Sequence, residues 1–245
     1  MNKEEVTRFY DAFAPQQLAV SFNERHLLLF RELKQLGLSS NSSVLELGCG
    51  IGVMTSLMAA VAQNGYIEAV DISPESIGEA KKRIKRQGMI NFVVADLKPF
   101  ESNRREFDFI TLMDVLEHIP EEDHDSIFGK ISMLMHTDSV LFISIPSPHL
   151  IAFDKLYFPQ DVQIIDQELR ADQLINRAYK AGLELDFFRT VGIWAANDYH
   201  LIAFRKKISY TAEKLSDKRN LLHKAIHRIC SWKEKALRSG NYRLS

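Results

Sequence analysis

The sequence predicts a doubly wound α/β fold with a mostly parallel sheet, on three observations. Short apolar segments of strand length alternate with segments of helical period from residue 43 to residue 182. A glycine-rich turn follows the first predicted strand directly and opens the next helix, as it does in folds of this class. The last two predicted strands, 183–191 and 199–206, have no helix between them, so we expect an antiparallel pair at one edge of the sheet.

The elements are predicted in order from the N-terminus. Residues 1–42 are expected to form a helical cover in two pieces, with a break at Pro15 and an end at Gly37. The main domain, 43–206, has further predicted strands at 43–47, 66–71, 91–96, 107–114 and 139–146, and predicted helices at 52–63, 74–88, 123–136 and 167–182. The segment 147–166 has no helix or strand pattern, which predicts a long loop of the kind that often covers a binding site.

The composition indicates a globular protein of the cytoplasm. Of 245 residues, 46% are hydrophobic and 26% are charged, which is ordinary for a folded soluble domain. No apolar run reaches the roughly 18 residues that a membrane-spanning helix needs, and the N-terminus has no apolar core of a secretory signal. The two cysteines, Cys49 and Cys230, fit a reducing compartment better than a disulfide framework.

The net charge of −1 is the sum of an acidic body and a basic C-terminal segment. Residues 206–245 contain eleven Lys or Arg and three Asp or Glu, and 207–245 is predicted to form a basic amphipathic helix with Trp232 on its apolar stripe. Three interpretations stay open. The helix packs on the acidic body or on a second subunit, or it lies on an anionic membrane surface at the inner face of the membrane. Binding of nucleic acid through phosphates is the least favoured of the three.

The turn after the first strand, within Val44 to Gly52 (VLELGCGIG), predicts a binding site for an adenosine-type cofactor. Its glycines follow a GxGxG spacing and lack the GxGxxG continuation of a dinucleotide site. Glu46 lies two residues before Gly48 and so on the same side of the strand, facing the turn. A carboxylate there would repel a pyrophosphate at the helix N-terminus. It suits S-adenosylmethionine, which has an ammonium and a sulfonium and no phosphate.

Two further acids end the next two predicted strands. Asp71 ends the second strand, where a carboxylate can accept hydrogen bonds from both ribose hydroxyls. Asp96 ends the third strand and can accept from an adenine amino group, while Leu97 covers the ring. Three acids at the carboxyl ends of successive strands, beside a glycine turn, predict one shared site. Cys49 within the turn is expected to be a small buried residue and not a nucleophile.

Four segments, VLELGCGIG, AVDIS, VVADL and LMDVLEHIP, resemble in their order and spacing the motifs of class I S-adenosylmethionine-dependent methyltransferases. The resemblance covers about residues 40–205 and implies a Rossmann-like methyltransferase fold, a seven-stranded sheet with its last strand antiparallel. It also implies the cofactor contacts: Glu46, Gly48 and Gly50 with Met113 and Asp114 at the methionine end, Asp71 at the ribose, and Asp96 and Leu97 at the adenine, with Ile72 as a further contact.

The N-terminal segment RFYDAFA resembles the tyrosine-bearing first helix of small-molecule methyltransferases, which closes over the cofactor. This makes Tyr10 a candidate cofactor or substrate contact. The alternative is that Tyr10 only packs the N-terminal helix.

The candidate catalytic residues are histidines that follow predicted strands. Methyl transfer to a hydroxyl is an in-line displacement that also needs a base with a pKa near neutrality. His118, in LEHIP, and His149, in PSPHL, follow the fourth and fifth strands and are the two candidates. The alternative for His118 is a role in the fold or in the cofactor pocket. The spacing of His, Cys, Asp and Glu does not indicate metal ligands, so we predict no metal centre.

The acceptor is the least determined part of the prediction. The fourth strand ends in LMDVL and lacks the Asn-Pro-Pro-Tyr signature typical of methylation of adenine amino groups in nucleic acids. The segment GIWAANDYHLIAFRK resembles the ends of methyltransferases of sugar and cell-surface polysaccharide biosynthesis, which favours O-methylation of a small-molecule or glycan acceptor. Two alternatives remain: an RNA or protein methyltransferase that uses the basic tail, and a non-catalytic regulatory protein that only binds the cofactor.

Overall fold

The structure, a computed structural model, describes residues 3–20, 22–84, 90–160 and 162–208. The helices are α1 (Lys3–Val20), α2 (Glu24–Gln35), α3 (Val53–Val61), α4 (Pro74–Arg83), α5 (Glu121–Met133), α6 (Pro148–Tyr157) and α7 (Ala171–Lys180). The strands are β1 (Ser43–Leu47), β2 (Tyr66–Asp71), β3 (Ile90–Val94), β4 (Phe107–Met113), β5 (Met135–Pro146), β6 (Leu183–Val191) and β7 (Tyr199–Lys206). The predicted basic helix at the C-terminus lies outside the described residues.

The seven strands form one sheet in the order β3-β2-β1-β4-β5-β7-β6. β7 runs antiparallel to both of its neighbours, β5 and β6, and the other pairings are parallel. The predicted fold class is therefore confirmed, including the antiparallel last strand. The strand order reverses between β1 and β4, and ligands of doubly wound sheets bind at the carboxyl ends of the strands beside such a reversal.

Hydrophobic clusters cover both faces of the sheet. Because side chains alternate along a strand, Val44 packs with α2 and α3 on one face, whereas Leu45 packs with α5 and α7 on the other. Both side chains are fully buried. Burial on both faces explains why the residues of β1 from Val44 to Leu47 are all apolar except Glu46.

The predicted break at Pro15 is wrong, since α1 continues through it. A proline inside a helix lacks one backbone N–H and costs roughly 3 kcal/mol, so packing must offset the loss. Ala14, fully buried, contacts Ile51 and Val53 at the end of the glycine turn. The carboxylate of Asp11 accepts hydrogen bonds from the Ser73 hydroxyl (2.5 Å) and the Glu75 backbone N–H (3.2 Å) at the start of α4.

The prediction that 147–166 is a loop without helix is also wrong, because α6 occupies its first half. Ser147 caps α6 through a hydrogen bond from the backbone N–H of Leu150 (3.2 Å), and Pro148 occupies its first position, both ordinary start signals. The helix is only ten residues long, and Phe153, Leu156 and Tyr157, which share one of its faces, are exposed instead of packing on the core. Among the helices within 3–208, none is long and apolar enough to cross a bilayer.

Candidate active site

A cavity of about 700 Å³ lies at the carboxyl ends of β1, β2 and β4, where the strand order reverses. Its volume is within the range of about 300–1,000 Å³ that is usual for small-molecule sites. The predicted cofactor residues all line it: Tyr10, Glu46, Gly48, Gly50, Asp71, Ile72, Asp96, Leu97, Met113 and Asp114. The structure therefore brings together residues that are spread over more than 100 positions of the sequence.

The glycine turn allows the backbone to approach the cavity closely. Gly48 has a φ of +79°, and a Cβ atom at this position would collide with the side chain of Val115. Gly52 has a φ of +77°, and a Cβ atom there would lie 2.8 Å from the Cβ atom of Ala80 in α4. Only glycine meets both the conformational and the steric requirement at these positions.

Glu46 is a buried carboxylate in the cavity wall. It is 2% exposed, and its Oε2 atom accepts a 2.5 Å hydrogen bond from the hydroxyl of Thr55. Burial raises the pKa of Glu46 to about 8, and the negative charge of Asp71 acts in the same direction against the hydrogen bond from Thr55. A cation in the cavity would favour the ionised form, so this environment suits a positively charged ligand group and disfavours a phosphate.

Asp71 joins the glycine turn to the end of β2. Its Oδ2 atom accepts from the backbone N–H of Gly50 (2.7 Å), and its Oδ1 atom accepts from that of Ser73 (2.9 Å). Burial raises the pKa of Asp71, while these backbone hydrogen bonds oppose the rise. A carboxylate has about four acceptor positions, so these backbone hydrogen bonds leave acceptor capacity for a ligand hydroxyl.

Asp96 and Leu97 border the cavity beyond the end of β3, and both are half-buried. The Oδ1 atom of Asp96 accepts a 3.1 Å hydrogen bond from the backbone N–H of Lys98, which fixes the carboxylate in a local turn. An acceptor beside an apolar side chain suits a flat ring with an amino group.

Asp114 connects the end of β4 to helix α2. Its φ of +58° places it in the left-handed region, which aspartate tolerates better than most residues. The carboxylate forms an ion pair with Arg25 of α2 and accepts a 3.4 Å hydrogen bond from the hydroxyl of Tyr199. Arg25 gives no motif in the sequence, because its position follows only from how α2 packs on the sheet.

His118 lines the cavity on the side of β4 and is largely buried. Its Nδ1 atom lies 2.9 Å from Asp166 Oδ1 and 2.7 Å from the carbonyl oxygen of Ile165, and its Nε2 atom lies 3.8 Å from Glu117 Oε1. Burial alone would lower the pKa of His118, but the charge of Glu117 and the hydrogen bonds to Asp166 and Ile165 outweigh it and raise the pKa. The arrangement fixes the ring through Nδ1, and among the described residues Nε2 has no acceptor at hydrogen-bond distance, with Glu117 Oε1 3.8 Å away.

His149, the other histidine candidate, does not line the cavity. It lies in the first turn of α6 and is exposed. The predicted strand end is correct, but the chain turns away into α6 immediately after it. Of the two histidine candidates, only His118 faces the cavity.

One face of α1 forms part of the cavity wall. Among the residues of this helix that line the cavity, the following have the spacing of a single helix face: Val6, Tyr10, Phe13, Gln17 and Val20. Several buried polar atoms of lining residues have no hydrogen-bond partner among the described residues: Tyr10 Oη, Gln17 Oε1, Arg25 Nε and Gln163 Oε1. Buried polar groups are normally paired, so these atoms indicate where a ligand's polar groups would bind.

Comparison with known proteins agrees with the geometry. The chain is 31% identical to a ubiquinone biosynthesis O-methyltransferase of Actinobacillus pleuropneumoniae serotype 7, over 51% of this chain and 56% of that enzyme's length. It thus spans little more than half of this curated relative.

Two solved structures share the fold. Magnesium protoporphyrin IX methyltransferase from Synechocystis PCC 6803 superposes with a TM-score of 0.64 at 14% identity, over 84% of this chain and 99% of that one. The N-methyltransferase NodS from Bradyrhizobium japonicum WM9 superposes with a TM-score of 0.60 at 22% identity, over 76% and 98%. A family model described as a methyltransferase domain matches residues 21–186, which is more than half of the chain. The protein therefore belongs to the methyltransferase-domain family.

Proposed function

We propose that the protein transfers a methyl group from S-adenosylmethionine to a small-molecule acceptor, and that the acceptor atom is a hydroxyl oxygen of a sugar-containing compound. Membership of the methyltransferase-domain family supports the first part. The observation that carries the proposal is the set of three carboxylates, Glu46, Asp71 and Asp96, which border one cavity beside the glycine turn. This set suits an adenosine compound that is cationic and has no phosphate.

The cofactor is S-adenosylmethionine, which supplies an electrophilic methyl group on a sulfonium when it is bound. We place its ammonium near Glu46 and Asp114, since a buried carboxylate gains most from a cation. Asp71 has acceptor capacity left for the ribose hydroxyls, and Asp96 with Leu97 provides an acceptor and an apolar contact for adenine.

His118 is the proposed general base. Asp166 and the carbonyl of Ile165 hold its Nδ1 proton, so the neutral ring presents Nε2 as the proton acceptor. The charge of Glu117 stabilises the imidazolium that forms when the proton is taken up.

The choice of oxygen over nitrogen follows from this base. One relative is named an O-methyltransferase and one structural neighbour an N-methyltransferase, so likeness alone leaves the atom open. A neutral amine already has a free lone pair, whereas a hydroxyl needs a base as the new bond forms. The likeness of residues 192–206 to methyltransferases of sugar and polysaccharide biosynthesis supports a sugar-containing acceptor.

Transfer of labelled methyl from S-adenosylmethionine into fractionated cell extract tests the proposal. We expect a labelled product with its methyl on oxygen, assigned by mass spectrometry. D71N should abolish the transfer, while D172N, at an exposed carboxylate paired with Arg170, should not affect it. Label on nitrogen would refute the choice of acceptor atom, and cofactor binding without transfer to any fraction would refute catalysis.

A further inference from the structure

We propose that Trp194 is a stacking platform for the acceptor, and that the acceptor carries a hydroxylated ring whose flat face lies on the indole. The proposal rests on the proposed function, because it names the acceptor class for the same cavity. It draws on three features: a loop built around Asp198, the exposure of Trp194 at the cavity, and two unsatisfied polar atoms of residues that line the same cavity.

The loop between β6 and β7 is organised by one buried carboxylate. Asp198 is 4% exposed, and its Oδ1 atom accepts from the backbone N–H of Ile193 (2.8 Å). Its Oδ2 atom accepts from the backbone N–H groups of Trp194 (2.8 Å) and Ala195 (2.9 Å). The backbone carbonyl of Asp198 also accepts from the N–H of Ser147 (2.7 Å), which ties the loop to the end of β5. Hydrogen bonds to a charged acceptor are stronger than neutral ones, so the backbone of the loop is held firmly.

This rigid loop presents a large apolar side chain to the cavity. Trp194 lines the cavity and yet is 59% exposed. Its ring packs edge-on against Tyr199, with 5.6 Å between ring centroids and an interplanar angle of 72°, so the indole has a defined orientation. Tyr199 in turn reaches Asp114 through its hydroxyl, which links the platform to the methionine side of the cavity. An aromatic ring that is fixed but uncovered at a cavity is suited to stacking with a ligand.

The polar atoms in the cavity wall indicate which kind of ring would stack there. Arg25 Nε is a donor and Gln163 Oε1 an acceptor, neither with a partner among the described residues, and both residues line the same cavity as Trp194. A hydroxyl group both donates and accepts, so a ring with hydroxyls can satisfy both atoms. A carboxylate can satisfy only the donor, and an ammonium only the acceptor. Sugars and catechols share this chemistry, a flat apolar face with hydroxyls at the rim.

Fluorescence of Trp194 tests the proposal with simple ring compounds as probes in place of the natural acceptor. The chain has two tryptophans, so Trp232→Phe in the full-length protein leaves Trp194 as the single reporter. Methyl glycosides of common hexoses form one arm of probes and catechol forms the other, both with S-adenosylhomocysteine present to fill the cofactor part of the cavity. We expect saturable quenching of Trp194 fluorescence by the methyl glycosides, by catechol or by both. The class of probe that binds shows whether the ring of the acceptor is a sugar or an aromatic ring.

Two variants separate the platform from its support. W194A should weaken binding of the probe, followed by calorimetry, by at least tenfold, while Y179A, at an aromatic residue 53% exposed outside the cavity wall, should leave it unchanged. D198N removes a charged acceptor from three backbone N–H groups. It should lower the fluorescence anisotropy of Trp194 and weaken the probe without changing the affinity for S-adenosylhomocysteine, which identifies Asp198 as a positioning residue.

The outcomes separate this proposal from the proposed function. If S-adenosylhomocysteine binds but neither arm of probes quenches Trp194, the stacking platform is wrong and the methyltransferase proposal stands. The same holds if W194A binds the probe as well as the parent protein does. If S-adenosylhomocysteine itself does not bind, the proposed function fails first.

Discussion

The carboxylate of Glu46 accepts a 2.5 Å hydrogen bond from the hydroxyl of Thr55, and both side chains are sealed from solvent although Glu46 forms part of the cavity wall. Burial raises the pKa of Glu46 to about 8. In the unliganded protein at pH 7 this carboxyl is therefore mostly protonated. A cationic ligand would reverse that state, because it stabilises the ionised form.

The first prediction concerns proton release on cofactor binding. At pH 7 we expect binding of S-adenosylmethionine to release up to about one proton, since a pKa of about 8 leaves the group largely protonated beforehand. Calorimetry in buffers with different ionisation enthalpies measures this number. E46Q should bind more weakly and release none.

Thr55 provides the matched control for this measurement. T55V removes the hydroxyl that lowers the pKa of Glu46 and should weaken binding at pH 7, while T55S retains the hydroxyl and should not. Proton release from E46Q equal to that of the wild type would assign the proton to another group.

The second prediction concerns stability of the unliganded protein against pH. Unfolded Glu46 has an ordinary pKa of about 4.3, whereas the folded value is about 8, so the folded state binds the proton more tightly. Between these values the free energy of unfolding should fall as pH rises, because ionisation of Glu46 disfavours the folded state. Urea denaturation from pH 5 to pH 8 measures the slope. E46Q should have a flatter slope, and an unchanged one would contradict the burial argument.

The third prediction concerns the glycine turn. G48A places a side chain at a φ of +79° and against Val115, so it should destabilise the protein by more than about 1 kcal/mol and abolish cofactor binding. Gly78 lies inside α4 with open space around its Cβ position, so G78A should stabilise by about 0.5–1 kcal/mol and leave binding unchanged. Thermal denaturation and calorimetry compare the pair. Equal behaviour of the two variants would mean that the turn tolerates a side chain.

The predicted cofactor residues, all of which line this cavity, could be found from sequence because their signals are local. Gly48, Glu46 and Asp71 sit at strand ends that periodicity identifies, and parallel strands bring their carboxyl ends to one edge. The proposed acceptor half could not, because Arg25, Gln163 and Trp194 give no motif and reach the cavity only through tertiary packing. The two errors of element prediction have different origins: packing carries α1 through Pro15, and α6 is a helix of only ten residues with several of its apolar side chains exposed.

The fourth prediction concerns the pH dependence of methyl transfer. A base must be neutral to accept a proton, and the pKa of His118 is raised, so kcat/KM should rise with pH through a value above the ordinary 6.5 or so. D166N removes a hydrogen bond that raises this pKa, so the rising limb should move to lower pH. The assay follows labelled methyl transfer into the acceptor fraction that the wild type methylates.

Titration of the His118 ring by proton NMR checks this assignment independently of turnover. H118Q identifies the resonance among the eight histidines of the chain. If D166N shifts the pKa of the His118 ring but the rising part of the kcat/KM profile stays at the same pH, His118 is not the base. Its role would then be structural, as the residue that holds the segment with Ile165 and Asp166.

The central claim is that the cavity beside Glu46 and Asp71 holds S-adenosylmethionine. The most direct measurement is calorimetric titration of the full-length protein with S-adenosylmethionine and, separately, with NAD, which has the same adenosine and an added pyrophosphate. We expect one S-adenosylmethionine to bind per chain, weakened at least tenfold in D71N, and no NAD to bind, since a pyrophosphate beside buried Glu46 would keep that carboxyl neutral and gain no ion pair from it. Absence of S-adenosylmethionine binding, or binding of NAD with similar affinity, would contradict the claim.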